Sequence, residues 1–229
     1  MKVDLKNINI YYLTCDTNCE KKKHLVENFK GHKLTEVMPK LGIGKYKSGA
    51  SGHSRMLDLG ARDQDRTKPF QPFIVVEDDV VKTKKFKDEI DIPDDADLLY
   101  VGISAWGLIG DKGKKGGLFL TQYDDKFVRV YNMLSTHGIM ICSAAGLLAM
   151  QKCMMECFIN NVPFDIPLAS QHPFYNVYAC KKPMLYQLGR IGGKEDGTKV
   201  TIGDECNNMI TDEFIKKECP SVINHMKRK

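Results

Sequence analysis

No apolar run in this 229-residue chain reaches the length of a membrane span. Its first residues, Met1-Lys2-Val3-Asp4-Leu5-Lys6, lack the uninterrupted apolar core of a signal peptide. The expectation is a chain that stays in the compartment where it is made, a cytoplasmic one. The eight cysteines include no CxxC pair and no regular framework, which argues against a disulfide scaffold. Cys153 and Cys157 lie one helical turn apart, and Cys142 and Cys180 sit in strand-like runs, as reduced core residues do. The spacing of Cys206, Cys219 and His225 is too irregular for a structural zinc site. The chain has a single tryptophan, Trp106, and no internal repeat or clear second-domain boundary. One mixed α/β domain is the simplest organisation for this length.

The formal charge, 34 basic minus 29 acidic residues, is +5. Much of the excess lies in Lys21-Lys22-Lys23, in residues 112–115 and in Lys227-Arg228-Lys229. These clusters have little aromatic interleaving and belong to no recognisable nucleic-acid module, so no nucleic-acid partner is expected. They read as solvated surface. The same charge suits a small anionic substrate such as a nucleotide diphosphate.

The most informative stretch is Phe73-Ile74-Val75-Val76-Glu77-Asp78-Asp79-Val80. An apolar, largely β-branched run reads as a strand buried on both faces of a sheet. It ends in three consecutive carboxylates. Ligands of open α/β sheets bind just beyond the carboxyl ends of such strands. Three acids gathered there repel one another unless a cation compensates them, and hard oxygen ligands suit Mg²⁺ or Mn²⁺. The alternative is an acidic turn facing water.

Around this stretch the pattern predicts a first strand over residues 8–14 and a helix over 19–29, with N-cap candidates in residues 15–18. A short strand follows at 34–37, then a glycine- and lysine-rich loop at 42–52 and a helix over 51–65. Beyond the acidic strand, residues 98–102 form another buried strand, and residues 118–123 and 127–131 a hairpin. Residues 138–142 form a strand running through Ser143, a capping residue, into a long apolar helix to about 160. Late strands are expected at 177–180 and 183–187. The order is α/β with a parallel first half.

Taken in order, these segments resemble the nucleotide-sugar-dependent glycosyltransferases of the GT-A fold, and among them glycosyltransferase family 25. The matching residues are Asn9-Ile10-Tyr11-Tyr12-Leu13, Gly49 to Leu57, Phe73 to Val80, Asp97 to Gly102, Thr136 to Ile141 and Pro163 to Leu168. The resemblance spans about residues 8–190. Such enzymes also occur in large DNA viruses, which would place a viral member in the host cytoplasm. Two departures stand out: Ser51-Gly52-His53 replaces Leu-Ser-His, and Ile166 replaces a tryptophan that often follows the late aspartate.

The resemblance implies a Rossmann-like GT-A domain over 1–229, with a central, mixed, mostly parallel sheet flanked by helices. Its nucleotide-sugar-binding half covers about 1–104 and its acceptor-side half about 105–192, with a surface-wrapping tail at 193–229. The implied activity is metal-dependent transfer from a nucleotide diphosphate sugar, a UDP-sugar, to a glycan or glycoprotein. Asp79 leads as ligand of Mn²⁺ (or Mg²⁺), with Glu77 and Asp78 at a second coordination position or the ribose hydroxyls. His172 is a further candidate ligand, or an exposed loop histidine. His137, just before a strand, has the same ambiguity.

Thr14 either contacts the donor or caps the following helix. Lys45, Lys47, Ser51 and His53 occupy the segment that faces the donor in the resembling family, or a solvated loop in the case of the lysines. Arg55 pairs either with a phosphate or with Asp58. Asp165 is the candidate acid/base or acceptor-binding residue, or a helix cap. Residues 106–117, rich in glycine and carrying Trp106, form either a closing loop or a surface loop. The competing function classes are a basic, non-enzymatic module for nucleic acid or acidic glycans, and a degenerate transferase scaffold.

Overall fold

The computed structural model describes residues 1–15, 20–83, 85–103 and 119–187, with the backbone alone of 107–108, 115–116 and 186–187. The tail from 193, Trp106 and the N-cap candidates Asp16, Thr17 and Asn18 lie outside the described residues.

In chain order the strands are β1 (Lys2–Asp4), β2 (Asn9–Leu13), β3 (Lys33–Val37), β4 (Phe73–Glu77), β5 (Val80–Lys82), β6 (Glu89–Asp91) and β7 (Leu98–Tyr100). The short pair β8 (Gly107–Leu108) and β9 (Lys115–Gly116) follows, then β10 (Phe119–Gln122), β11 (Phe127–Asn132), β12 (Gly138–Ile141), β13 (Val177–Cys180) and β14 (Leu185–Gln187). The helices are α1 (Glu20–Asn28), α2 (Lys45–Arg62), α3 (Ala144–Asn160) and α4 (Asp165–Gln171), the last running into a 3-10 turn at His172–Phe174.

Eight strands form one sheet in the order β10-β11-β13-β7-β12-β4-β2-β3. β3, β2 and β4 are parallel, the first half expected from the alternation of strands and helices. β13 is parallel to β7, and the remaining four pairings are antiparallel because β12 inserts between β4 and β7 and the β10–β11 hairpin closes the far edge. The fold is a Rossmann-like mixed α/β arrangement with helices on both faces.

Phe73, Ile74, Val75 and Val76 are all buried, as their apolar run requires of an interior strand. Alternation sends Val75 to one face, with Tyr11, Tyr100 and Ile139, under α2, α3 and α4. It sends Ile74 and Val76 to the other, with Ile10, Tyr12 and Met140, under α1 and the small β1–β6 ladder. Each fully buried aliphatic side chain contributes about 1.5–3 kcal/mol.

The second helix begins at Lys45, well before the expected start. Gly49 and Gly52 weaken intrinsic helicity there, but Ala50, His53, Leu57 and Gly60 make one buried stripe, and tertiary burial overrides the penalty. The glycine- and lysine-rich segment expected as a loop is therefore mostly helix. The cluster at Lys21-Lys22-Lys23 is likewise not simply solvated: Lys21 Nζ lies 3.2 Å from Asp79 Oδ2 and Lys22 Nζ 2.5 Å from Glu36 Oε2. Among the described residues no helix is long and apolar enough to cross a membrane.

At the amino edge of β7, Asp97 ties three elements together. Ser143 Oγ donates to its Oδ1 at 2.6 Å, the Asn176 amide to its Oδ2 at 2.8 Å and the Cys142 amide to its carbonyl at 2.9 Å. Ser143 also caps α3 by accepting from the Gly146 amide at 3.0 Å. The knot closes only because residue 146 lacks a side chain: a Cβ there would stand 2.1 Å from the Asp97 carbonyl oxygen. Backbone cannot yield that much, so Gly146→Ala is expected to destabilise the fold by roughly 2 kcal/mol or more in urea denaturation. A loss below about 0.5 kcal/mol would show that α3 is not seated on Asp97.

Candidate functional site

β4 ends at Glu77, and Asp78 and Asp79 form the turn into β5. The strict alternation of a strand stops there, so the three acids need not face as a longer strand would place them. Glu77 keeps the parity of Val75 and is half-buried on the side of α2, α3 and α4. Thr136, just ahead of β12, donates its hydroxyl to Glu77 Oε1 at 2.6 Å. The antiparallel register, with Gly138 opposite Val76, brings Thr136 there. Asp79 meets Lys21 from the first turn of α1, which covers the other face.

Burial pushes the Glu77 carboxyl up to about 7; the Thr136 hydrogen bond opposes this, and the charges of Asp79, Asp78 and Asp165 add to it. Asp165 is thus close enough to the triplet to act on Glu77. Burial alone would lower the pKa of Lys21; Asp79 first, by charge and hydrogen bond, then Asp78 and Glu77 outweigh it and raise it.

Asp165 sits in the first turn of α4, beside Phe164. The Phe164 ring packs on the His53 ring at a centroid distance of 4.7 Å. His53 is buried on α2, its Nδ1 without a hydrogen-bond partner, and its neighbour Gly52 lies against Leu13 at the end of β2. The structure thereby gathers β2, β4, the middle of α2 and the start of α4 at the carboxyl edge of the parallel strands. Thr14, buried, continues β2 there, with its amide bonded to the Val37 carbonyl at 3.1 Å.

His172 is not brought into this group. It is fully buried, neither an exposed loop residue nor grouped with the acids, and its Nε2 shares a 2.9 Å hydrogen bond with the Tyr100 hydroxyl. Lys45 is exposed at the start of α2, with Nζ 6.0 Å from the Tyr46 ring centroid. Ser51 is occupied locally: its hydroxyl donates to the Ser48 carbonyl and accepts from the Lys40 amide, each at 2.7 Å. Arg55 donates to the Met38 carbonyl at 2.6 Å.

Lys21 and Thr136 are the site residues that sequence reading missed. Thr136 carried a signal, since it opens a segment that must pair beside the acidic strand. Lys21 carried none beyond its position in the first turn after β2. His137 is also present: its Nδ1 lies 3.1 Å from Ser135 Oγ, and its buried Nε2 has no partner. A Cβ on Gly102 would approach its ring to 2.6 Å.

Among the described residues no group of three or more His, Cys, Asp or Glu side chains is placed to hold a metal ion unaided. The donor set nevertheless fits a hard divalent cation. Mg²⁺ and Mn²⁺ sites commonly use one or two carboxylates and complete their shell with water and substrate phosphates. A carboxyl raised to about 7 by burial, with neighbouring carboxylates adding to the rise, is a group that gains from such a charge.

No protein-family model matches the chain, and no curated protein sequence is similar to it. Among solved structures it is similar to a glycosyltransferase involved in the glycosylation of the major capsid of PBCV-1, at 13% identity and a TM-score of 0.37, over 66% of each chain. The chain therefore spans just under two thirds of that protein. It is also similar to A197 from STIV, at 9% identity and a TM-score of 0.38, covering 75% of this chain and 81% of that one. Likeness at this level identifies neither a family nor an activity.

The buried histidines make the fold acid-labile. Burial lowers His53 to about 4 and His172 to about 3, with Arg129 adding to the latter, and lowers His137 to about 4 against the pull of Asp79. In the unfolded chain each would titrate near 6.5, so their contribution is complete above that pH and lost as pH falls toward 4. Glu77, raised to about 7, works in the opposite sense between about 4.5 and 7 and offsets one of the three. Unfolding free energy is expected to fall by about 2 kcal/mol per uncompensated histidine from pH 7 to pH 5. In urea titrations His53→Leu should flatten that slope by one proton; an unchanged slope would mean His53 titrates normally in the folded chain.

Proposed function

We propose that this protein is a divalent-metal-dependent glycosyltransferase of the GT-A type, moving a sugar from a UDP-sugar to a glycan or glycoprotein acceptor. The observation that carries this is the acidic turn at the carboxyl edge of β4, with a fourth carboxylate, Asp165, acting on it from α4. Clefts at that edge are where ligands of such sheets bind. The ordered resemblance to glycosyltransferase family 25 supplies the chemistry such a turn would serve.

Asp79, with Glu77, would hold Mn²⁺ or Mg²⁺, and Asp78 would take the ribose hydroxyls. The bound ion would supply positive charge to the departing diphosphate. Thr136 fixes the Glu77 carboxylate in place with its hydrogen bond. Thr14 borders the donor at the end of β2. The exposed Lys45 and the helix start at Gly44, with no acidic residue in the first turn, favour phosphate nearby. Ser51 acts by tying the 38–40 segment to α2 rather than by touching the donor.

From the start of α4, Asp165 accepts the proton of the acceptor hydroxyl, or binds the acceptor. The packed His53 and Phe164 rings hold the start of α4, and with it the position of Asp165. His172 acts in the core, through Tyr100, and not at the ion.

Saturating UDP with Mn²⁺ is expected to raise the melting temperature by roughly 5–10 °C, and neither alone should do so fully. Asp79→Ala should abolish that rise while leaving the ligand-free melt within a few degrees. Absence of any shift across a panel of nucleotide sugars would remove the donor assignment. Normal binding of UDP and Mn²⁺ by Asp79→Ala would remove the metal assignment.

A further inference from the structure

Lys21 stands in the first turn of α1, the helix that follows β2, and its ammonium lies 3.2 Å from Asp79 Oδ2. The pair is sheltered: the Asp79 side chain is 13% exposed and that of Lys21 36%. Salt screens such a pair less than a surface one. The same ammonium is influenced by all three carboxylates of the turn. Its neighbour Lys22 has a different attachment, 2.5 Å from Glu36 on β3, where the Tyr12 hydroxyl also donates at 2.9 Å. α1 is therefore tied to the sheet at two points, and release of Lys21 leaves the Lys22 tie in place.

We propose that Lys21 is the site's own counter-cation, holding Asp79 while the acidic turn carries no divalent ion and passing to the donor's diphosphate when such an ion takes Asp79. The inference rests on the proposed metal-dependent reading. Among the described residues the ion pair at Asp79 is made by the one positive charge of Lys21, and a divalent ion there brings twice that charge to the same oxygens. At about 4 Å two cations repel strongly in a partly buried site, so the ammonium and the ion do not share Asp79. The displaced ammonium remains on the first turn of a helix whose N-terminus itself favours anions. A diphosphate arriving with the ion is the acceptor for three N–H donors that have just lost theirs. Lys21 thus acts as an exchange device: it offsets the charge of Asp79 in the resting enzyme and marks the donor by its phosphates once the ion is loaded.

The test uses the full chain and two binding measurements, free Mn²⁺ by electron paramagnetic resonance and UDP by calorimetry at saturating Mn²⁺. Lys21→Met is expected to bind Mn²⁺ about five- to tenfold more tightly in the absence of nucleotide and UDP about tenfold more weakly. Lys21→Arg should keep UDP binding near that of the native protein. Lys22→Met should move neither affinity while lowering the melting temperature. Opposite shifts from one substitution separate exchange from a structural role, which would weaken both. Unchanged or weakened Mn²⁺ binding by Lys21→Met overturns the exchange while leaving the metal reading intact. Failure of both the native protein and Lys21→Met to bind Mn²⁺ overturns the metal reading, and the exchange with it.

Discussion

Like-charge crowding at the mouth of β4 is the constraint around which the molecule is arranged. Glu77, Asp78 and Asp79 follow one another where an apolar strand leaves the core, and Asp165 approaches from α4. Carboxylates so placed cost free energy: burial first, and then the charges of Asp79, Asp78 and Asp165, raise Glu77 to about 7. A fold tolerates that cost only if the surrounding frame is rigid enough to prevent the acids from moving apart. Here the frame is the interior position of β4, hydrogen-bonded to β2 on one side and β12 on the other. Neither neighbour can shift without breaking a ladder buried on both faces.

The two ends of the same sheet differ sharply. At the amino edge, Asp97 is fully engaged by Ser143, Asn176 and Cys142, and Gly146 lets α3 come down onto it. That acid is satisfied by neutral donors and knots β7, β12, β13 and α3 together. At the carboxyl edge the acids meet Thr136, Lys21 and one another. Stability is concentrated where nothing need bind, and electrostatic strain where something should. The unpartnered ring nitrogens of His53 and His137 belong to the strained edge as well.

Much of this was legible because it rests on local rules. The β-branched run ending in acids specified β4 and its burial, Ser143 specified the start of α3, and the Asp124-Asp125-Lys126 spacing specified the β10–β11 hairpin. What was not legible depends on distant partners. The early start of α2 comes from a stripe of burial under α3 that outweighs two glycines. β1 and β6 are three residues each and pair across most of the first half of the chain, a distance no local pattern encodes. His172 sits in a polar-looking Gln171-His172-Pro173 context, but the turn out of α4 carries it under Tyr100. Lys21 belonged to a run of lysines that reads as solvated, and only the packing of α1 over the end of β4 gives it a partner.

The end of β4 also explains how three adjacent acids can serve two tasks. Within a strand, side chains at i and i+2 share a face, so a longer strand would put Glu77 and Asp79 together. Termination at Glu77 breaks that rule. Glu77 stays with Thr136 and the field of Asp165, beneath α2 and α4, while Asp79 turns toward Lys21 on α1. In the proposed transferase that division sets Glu77 near Asp165, where a proton must leave, and Asp79 near Lys21, where charge develops on phosphate. A cation between the two would feel both carboxylates without requiring either to leave its face. The shortness of the strand, as much as its acidity, is then what the chemistry depends on.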